Sequence, residues 1–277
     1  MKDIDHSRHI HHHKRLYTRL HYSTTIEQRW YYIFLMPVLV LILSMVLLDV
    51  VYKTTLHIPS EIFYQLCLAV GVTLFRLIVA YCLAVIIALP LSFLIFFNRT
   101  VERLLLPVYD ILESVPALAF FPIIILFFVN VGFLNGAAIF IIFLAMLWNI
   151  VFSVVGGLTA IPEDLRSASA VFGLKGFAFI KDFLFPAIVP QLILGSILAF
   201  AQGWNIIIVA EVLHTYIPAG VASDDLFGIG SMLVHASTDG QNSIFFGAVL
   251  LMVFTIAVLN FFVWQKLLIY AEHFKFD

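Results

Sequence analysis

Long stretches of this chain carry no charged side chain, and the charges gather in short clusters between them. A helix needs about 20 predominantly apolar residues to cross roughly 30 Å of hydrocarbon, so the charge-free stretches predict spans. The first runs from about Tyr31 to Leu48, and the second is free of charge from Leu77 to Phe97. A longer uncharged run, Ser114 to Pro162, exceeds one crossing and breaks where Asn130, Gly132, Asn135 and Gly136 supply turn chemistry. That places a third span near 113–130 and a fourth near 137–157. A fifth follows from about Ala187 to Ala210 and a sixth from about Ile244 to Trp264. Only helices and closed barrels satisfy their backbone inside lipid. The alternation of a barrel strand is absent, so the pattern predicts an all-α polytopic membrane protein with about six transmembrane helices.

Composition agrees. Of 277 residues, 62% are apolar and 12% charged, and the mean hydropathy is +1.05; soluble domains carry about 45–50% apolar and about 25% charged residues. The formal net charge of −2 suggests no nucleic-acid partner. Cys67 and Cys82 fall inside apolar stretches and read as small core residues, not as a disulfide or a metal pair.

Lysine and arginine placement sets the orientation. With the N-terminus inside, the inner segments hold Lys2, Arg8, Lys14, Arg15, Arg19, Arg29, Arg99, Arg103, Arg166, Lys175, Lys181, Lys266 and Lys275. The outer segments hold only Lys53, with Arg76 at the outer end of the second span, and Asp224, Asp225 and Asp239 collect outside. Both termini are therefore expected in the cytoplasm of a multi-pass protein of the plasma (inner) membrane. Residues 1–29 form a cytoplasmic tail with a broken His run at His6, His9, His11, His12 and His13, either a solvated tail or a metal-binding one. Trp30, Tyr31 and Tyr32 suit an interfacial belt, as Glu113 suits the inner and Asp49 the outer interface. Residues 30–268 form the transmembrane domain and 269–277 a second cytoplasmic tail. Inner loops are expected near 98–112 and 158–186 and a large outer segment near 212–242. No Gly-rich stretch is followed by Lys-Ser or Lys-Thr, so no phosphate loop is present. Energy for active transport would have to come from a partner or an ion gradient.

The inner loop between the fourth and fifth spans is the most informative. Pro162 suits the first position of a helix, where its missing N–H costs nothing. Glu163 and Asp164 then stand in the first turn, where the helix dipole favours acids. Arg166, Ser167, Ala168 and Ser169 follow, and Gly173, before Leu174, can take the left-handed conformation that ends a helix. A second short helix is expected from about Phe177 to Phe185, stopped by Pro186. The small residues give this helix–turn–helix a smooth face that another surface can approach closely.

The layout resembles the EAA loop of ABC importer permeases: Glu-Ala-Ala, three residues, Gly, nine residues, an apolar pair spaced by one residue, then Pro. Ser167-Ala168-Ser169 occupies the triplet, Gly173 the Gly, Phe183 and Phe185 the apolar places and Pro186 the Pro, with Ser167 where the family has Glu. Other stretches match in order. Residues 107–122, with Pro116 and Pro122, resemble the family's "IPxLAxxP" element, and Trp148-Asn149 through Gly156-Gly157-Leu158 its "NTxxGL" stretch. Trp204-Asn205 through Glu211 is similar to the "W…VAAE" stretch of nitrate, sulfonate and taurine permeases, and Phe227-Gly228-Ile229-Gly230 to their "GLG" element. The resemblance covers roughly residues 60–268.

It implies a type I ABC importer permease (MetI-like) architecture in which the loop at 158–186 docks on an ATPase. Glu163, Asp164, Arg166, Ser167, Ala168, Ser169, Gly173, Leu174 and Pro186 would carry that coupling. The implied partners are ABC ATPase subunits, an extracytoplasmic solute-binding protein, a second permease copy and membrane lipid. ATP and Mg would sit on the partner ATPase, and this chain would bind no cofactor and catalyse no reaction. The implied solute is a small anion such as nitrate, taurine, another sulfonate or bicarbonate, with a thiamine-precursor pyrimidine open among the same relatives.

Arg76, Pro116, Trp204, Asn205 and Glu211 are candidates for the translocation path or its gate. Arg76 can line the path or snorkel to the outer interface. Glu211, at the end of the fifth span, can gate the outer mouth, bind Arg76, or stand as a solvated helix end. Pro116 and Pro122 read as kinks. The alternative class is a gradient-driven carrier or channel. Such proteins place acidic or His relays inside their spans, whereas all ten histidines lie outside the central spans. A membrane-embedded enzyme has still less support, because no nucleophile with an adjacent base falls in a span.

Overall fold

The computed structural model describes residues 59–217 and 225–274. The expected first span, the interfacial belt, Asp49 and the His-rich tail lie outside those residues. Eight helices are described: α1 Ser60–Phe97, α2 Arg99–Ser114, α3 Phe121–Val131, α4 Leu134–Thr159, α5 Glu163–Val171, α6 Gly176–Glu211, α7 Ile229–Thr238 and α8 Asn242–Glu272. Among the described residues, α1, α4, α6 and α8 are long and apolar enough to cross a membrane.

Helix α4 lies at the centre, packed along both α1 and α6. The reason is written in small residues. On α1, Ala69, Thr73, Leu77, Ala80, Ala84, Ala88 and Ser92 recur at three- and four-residue spacing and are buried, a stripe that lets a neighbouring backbone come close. On α6, a Cβ added at Gly195 would stand 2.6 Å from Ser153, and one at Gly203 would stand 2.3 Å from Met146. Close approach of helices sustains dispersion contacts where lipid offers no hydrophobic driving force between them. Helix α8 is the opposite case: Ala248, Trp264 and Ala271 are its buried residues, Ile244, Leu251, Met252, Leu259 and Leu267 pack against the core while partly exposed, and Phe246, Val253, Phe254, Phe261 and Phe262 face outward.

Several boundaries differ from the sequence expectation. Helix α1 starts at Ser60, well upstream of the charge-free run, and passes through Arg76 unbroken. The stretch read as an inner loop near 98–112 is helical, with the Asn98 side chain accepting from the Thr100 and Val101 N–H groups to cap α2. The span expected near 113–130 is divided. Val115 is extended, as a residue before proline tends to be. A 3-10 turn covers Ala117–Phe120, and α3 begins with Pro122 in its first turn. Pro116 and Pro122 thus mark ends of elements and do not kink one continuous helix. At 11 residues α3 is about 16 Å long, short of a crossing.

Pro186 does not stop the second loop helix. The chain runs on from Gly176 to Glu211 because Ile180–Leu184 widens into a π turn, in which the Phe185 N–H reaches back to the Ile180 carbonyl. That register change brings Pro186 into the start of a new α-helical run, where its missing donor is tolerated. Cys67 and Cys82 are exposed on α1, contrary to the core placement expected of them.

Candidate functional site

The loop joining α4 to α6 is built by its own backbone chemistry. Pro162 caps α5 in an extended conformation, and Glu163 and Asp164 stand exposed in the first turn. Arg166 turns back toward the bundle. Its Nη2 donates to the Leu158 carbonyl at 2.8 Å, and its guanidinium lies 5.1 Å from the centre of the Phe96 ring. Ser169 is buried and its hydroxyl donates to the Arg166 carbonyl at 2.6 Å. Arg166, with Leu165 packed against the core, therefore fastens the loop to the bundle, while Ser167 and Ala168 face outward with the two acids.

Gly173 adopts φ 71°, and the Leu174 N–H donates to the Ser169 carbonyl at 3.2 Å, closing α5 in a Schellman arrangement. A side chain at this φ would be strained. The turn presents Val171, Phe172 and Phe177 with 86%, 82% and 77% of their surface exposed. These three apolar residues escaped the sequence reading. Their signal was present, since Val171 and Phe172 end an otherwise polar stretch just before Gly173 and Phe177 follows the next glycine. Pro186, in α6 beyond the π turn, is half-buried and is not part of this tip.

A second cluster lies where α6 ends. Glu211 is fully buried there and accepts three hydrogen bonds: from the Thr73 hydroxyl at 2.7 Å, the Arg76 Nη1 at 2.7 Å and the Gly230 N–H at 2.8 Å. Arg76 is buried too. It donates from Nε to Asn135 Oδ1 at 3.0 Å and from Nη1 to the Phe227 carbonyl at 2.9 Å. The Thr73 oxygen in turn accepts the Ile229 N–H at 3.0 Å. The Gly230 N–H in the first turn of α7 thus points at an acid, as a helix N-terminus favours. Of the sequence alternatives for these residues, the structure has Glu211 bound to Arg76, and Arg76 neither snorkelled nor exposed. It also explains the glycines of Phe227–Gly230: a Cβ at Gly228 would meet the Glu211 carboxylate, and one at Gly230 would stand 2.8 Å from the Ile208 backbone.

The remaining candidates are not brought into this cluster. Trp204 is buried in the main core, Asn205 is exposed on α6, and Pro116 is exposed at the end of α2.

The sequence reading also missed a triad nearby. Asp225, its side chain 3% exposed, accepts the His214 N–H at 2.9 Å; His214 Nδ1 lies 2.8 Å and His235 Nε2 2.9 Å from its Oδ2. Both contacts to the carboxylate require a proton on the facing ring nitrogen. Burial pushes the Asp225 carboxyl upward, but the His214 N–H and the two imidazoles outweigh it and hold the group below the usual carboxylate range. Among the described residues, no three of His, Cys, Asp and Glu are set to hold a metal ion.

Comparison with known proteins gives this arrangement a family. The solved methionine ABC transporter in its inward-facing conformation is similar in fold, with a TM-score of 0.66 at 18% identity, covering 77% of this chain and 99% of that one. The nitrate import permease protein of Leptolyngbya laminosa is 31% identical over 174 residues, 63% of this chain and 58% of that protein. The bicarbonate transport system permease protein of Synechococcus elongatus is 28% identical over 141 residues, 51% of this chain and 50% of that protein. The chain thus spans between half and three fifths of the length of these curated relatives. Residues 80–265, which hold the loop and Glu211, match the binding-protein-dependent transport system inner membrane component family, and the chain belongs to that family of membrane transport permeases.

Proposed function

We propose that this chain is the membrane-spanning subunit of an ATP-driven importer for a small oxyanion, and that the tip formed by α5 and the turn after it docks on a separate ATPase. The observation that carries this reading is the tip itself. Three apolar side chains, Val171, Phe172 and Phe177, stand in the open around a left-handed glycine, at the end of a short helix that Arg166 fastens to the bundle. An exposed apolar patch of this kind marks an interaction site. Glu163, Asp164, Ser167, Ala168 and Leu174 border it, and Pro186 shapes the helix behind it. The Lys/Arg bias supports an inward-facing tip, with both termini cytoplasmic in the plasma membrane.

In this reading two permease copies enclose the pathway, two ATPase subunits carrying ATP and Mg grip the two tips, and a solute-binding protein delivers the anion from outside. Closure of the ATPases draws the tips together and switches access. Arg76 and Glu211 act as a lock that holds α7 at the outer end and not as solute contacts, because both are buried and their hydrogen bonds are taken up by one another, Thr73, Asn135, the Phe227 carbonyl and the Gly230 N–H. The nitrate and bicarbonate permeases among the relatives support an oxyanion as the solute.

The test is replacement of Phe172 by Glu in the full chain. The variant is expected to reach the membrane at normal abundance and to lose co-purification of the ATPase and solute uptake together. Normal uptake would sink the docking assignment. A chain that transports with no ATPase present would instead be a gradient-driven carrier.

A further inference from the structure

The charges near the membrane-spanning core are engaged, yet a second polar feature is open. On α6, Leu194, Leu198, Ala201, Gln202 and Asn205 are exposed. At about 100° per residue, these positions fall within one arc of the helix. Gln191, half-buried with its stem against Gly157, lies on the same side. An otherwise apolar face therefore carries a line of carboxamides.

Their depth matters. Gln202 and Asn205 precede the helix end at Glu211 by about 14 Å and 9 Å along the axis, inside the apolar span and not at its rim. A carboxamide turned to hydrocarbon leaves donors and acceptors unpaid in hydrogen bonds, which is unfavourable. The exposed face of α1 shows the contrast. Phe75, Ile78, Leu83, Ile86, Ile87 and Leu94 lie along it, and Leu66–Phe97 contains no Asn or Gln at all. That face is suited to lipid, whereas the α6 face is suited to water and a polar solute.

We propose that the Gln202 and Asn205 carboxamides on this face contact the transported solute, and that they recognise a small oxyanion through neutral N–H donors. The assignment rests on the importer reading, which supplies the sign of the solute, because an amide can present either its donor or its acceptor end. What the face adds is the manner of recognition. Each carboxamide offers two N–H donors and no net charge. Arg76, the buried cation of α1, is spent on Glu211, Asn135 and the Phe227 carbonyl. Neutral donors hold an oxyanion weakly enough to release it, which a pathway requires. Two copies facing one another would double the donors around one anion.

Two measurements on the full chain with its ATPase test this. In the first, Gln202→Leu with Asn205→Leu removes the donors at similar size. Nitrate uptake is expected to fall about tenfold or more, the factor for losing one or two hydrogen bonds to the passing anion, while ATPase co-purification and basal ATP hydrolysis stay unchanged. Gln202→Asn with Asn205→Gln should recover most of the uptake. Unchanged uptake in the Leu double variant overturns the proposal. In the second, Gln202→Cys and Asn205→Cys are placed singly in a chain whose exposed Cys67 and Cys82 are replaced by Ala. Both are expected to react with a hydrophilic thiol reagent, and nitrate should slow the reaction. Failure to react means a lipid or packed setting and overturns the proposal even where the Leu variant misfolds. Loss of ATPase co-purification by the unaltered chain would instead refute the importer reading, so the two failures are distinguishable.

Discussion

At the scale of single residues, the Arg76–Glu211 pair decides how this protein must be treated experimentally. Removing one partner of a buried pair leaves the other charge uncompensated and costs about 3–5 kcal/mol. Arg76→Ala or Glu211→Ala is therefore expected to lower the thermal unfolding temperature and membrane abundance. The double replacement is expected to lose less than the sum of the two, because neither charge is left alone. An additive double variant in a thermal-shift series would show that the charges act independently. Gly228→Ala should also be damaging, since its Cβ would collide with the Glu211 carboxylate. The sequence held both motifs and the possibility of their pairing, because Glu211 and Arg76 each end or interrupt an apolar run. It did not reveal the full set of partners. Thr73, Asn135 and the Phe227 carbonyl come from elements between 59 and 151 residues away from Arg76 or 138 from Glu211, and no local spacing encodes such contacts.

At the scale of elements, the spans legible in the sequence were those whose charge-free runs coincide with whole helices. The fourth, expected at 137–157, is Leu134–Thr159, and the sixth, expected at 244–264, lies within Asn242–Glu272. Where a charge lies inside a helix, as Arg76 does in α1, reading charges as boundaries shortens the element. Where a proline is absorbed by a π turn, as Pro186 is in α6, reading prolines as stops divides it. The Asp225 triad was invisible for a third reason: its histidines lie 11 and 10 residues away on either side, on different elements, with no periodicity to join them.

That triad carries a pH prediction. A carboxyl held below its ordinary value, near 4, contributes stability that is fully present above that value and is lost as pH falls through the lower folded value. The unaltered chain should therefore lose thermal stability below about pH 4, and Asp225→Asn should remove that component of the loss. Identical acid profiles for the two proteins would show that the triad contributes nothing. At the tip, Gly173→Val should strain the left-handed turn that ends α5. ATPase co-purification should fall more than membrane abundance does, and an equal fall in both would assign Gly173 a folding role alone.

At the scale of the whole molecule, three features are arranged along one bundle. The exposed tip lies at the end where α4 leaves for α6, the lock lies where α6 ends, and the carboxamide face lies on α6 between them. Helix α6 therefore connects all three, and it packs tightly on α4 through Gly195 and Gly203. In the importer reading, a force applied at the tip reaches the solute face through this packed helix pair. The measurement that tests the account most directly is solute uptake and ATP hydrolysis, assayed together in vesicles holding the full chain and its ATPase, for the unaltered protein and for Phe172→Glu. ATP-dependent uptake is expected of the unaltered protein, and neither uptake nor ATPase association of the variant at equal membrane abundance. Undiminished ATP-driven uptake by Phe172→Glu would contradict the docking of the tip on the ATPase.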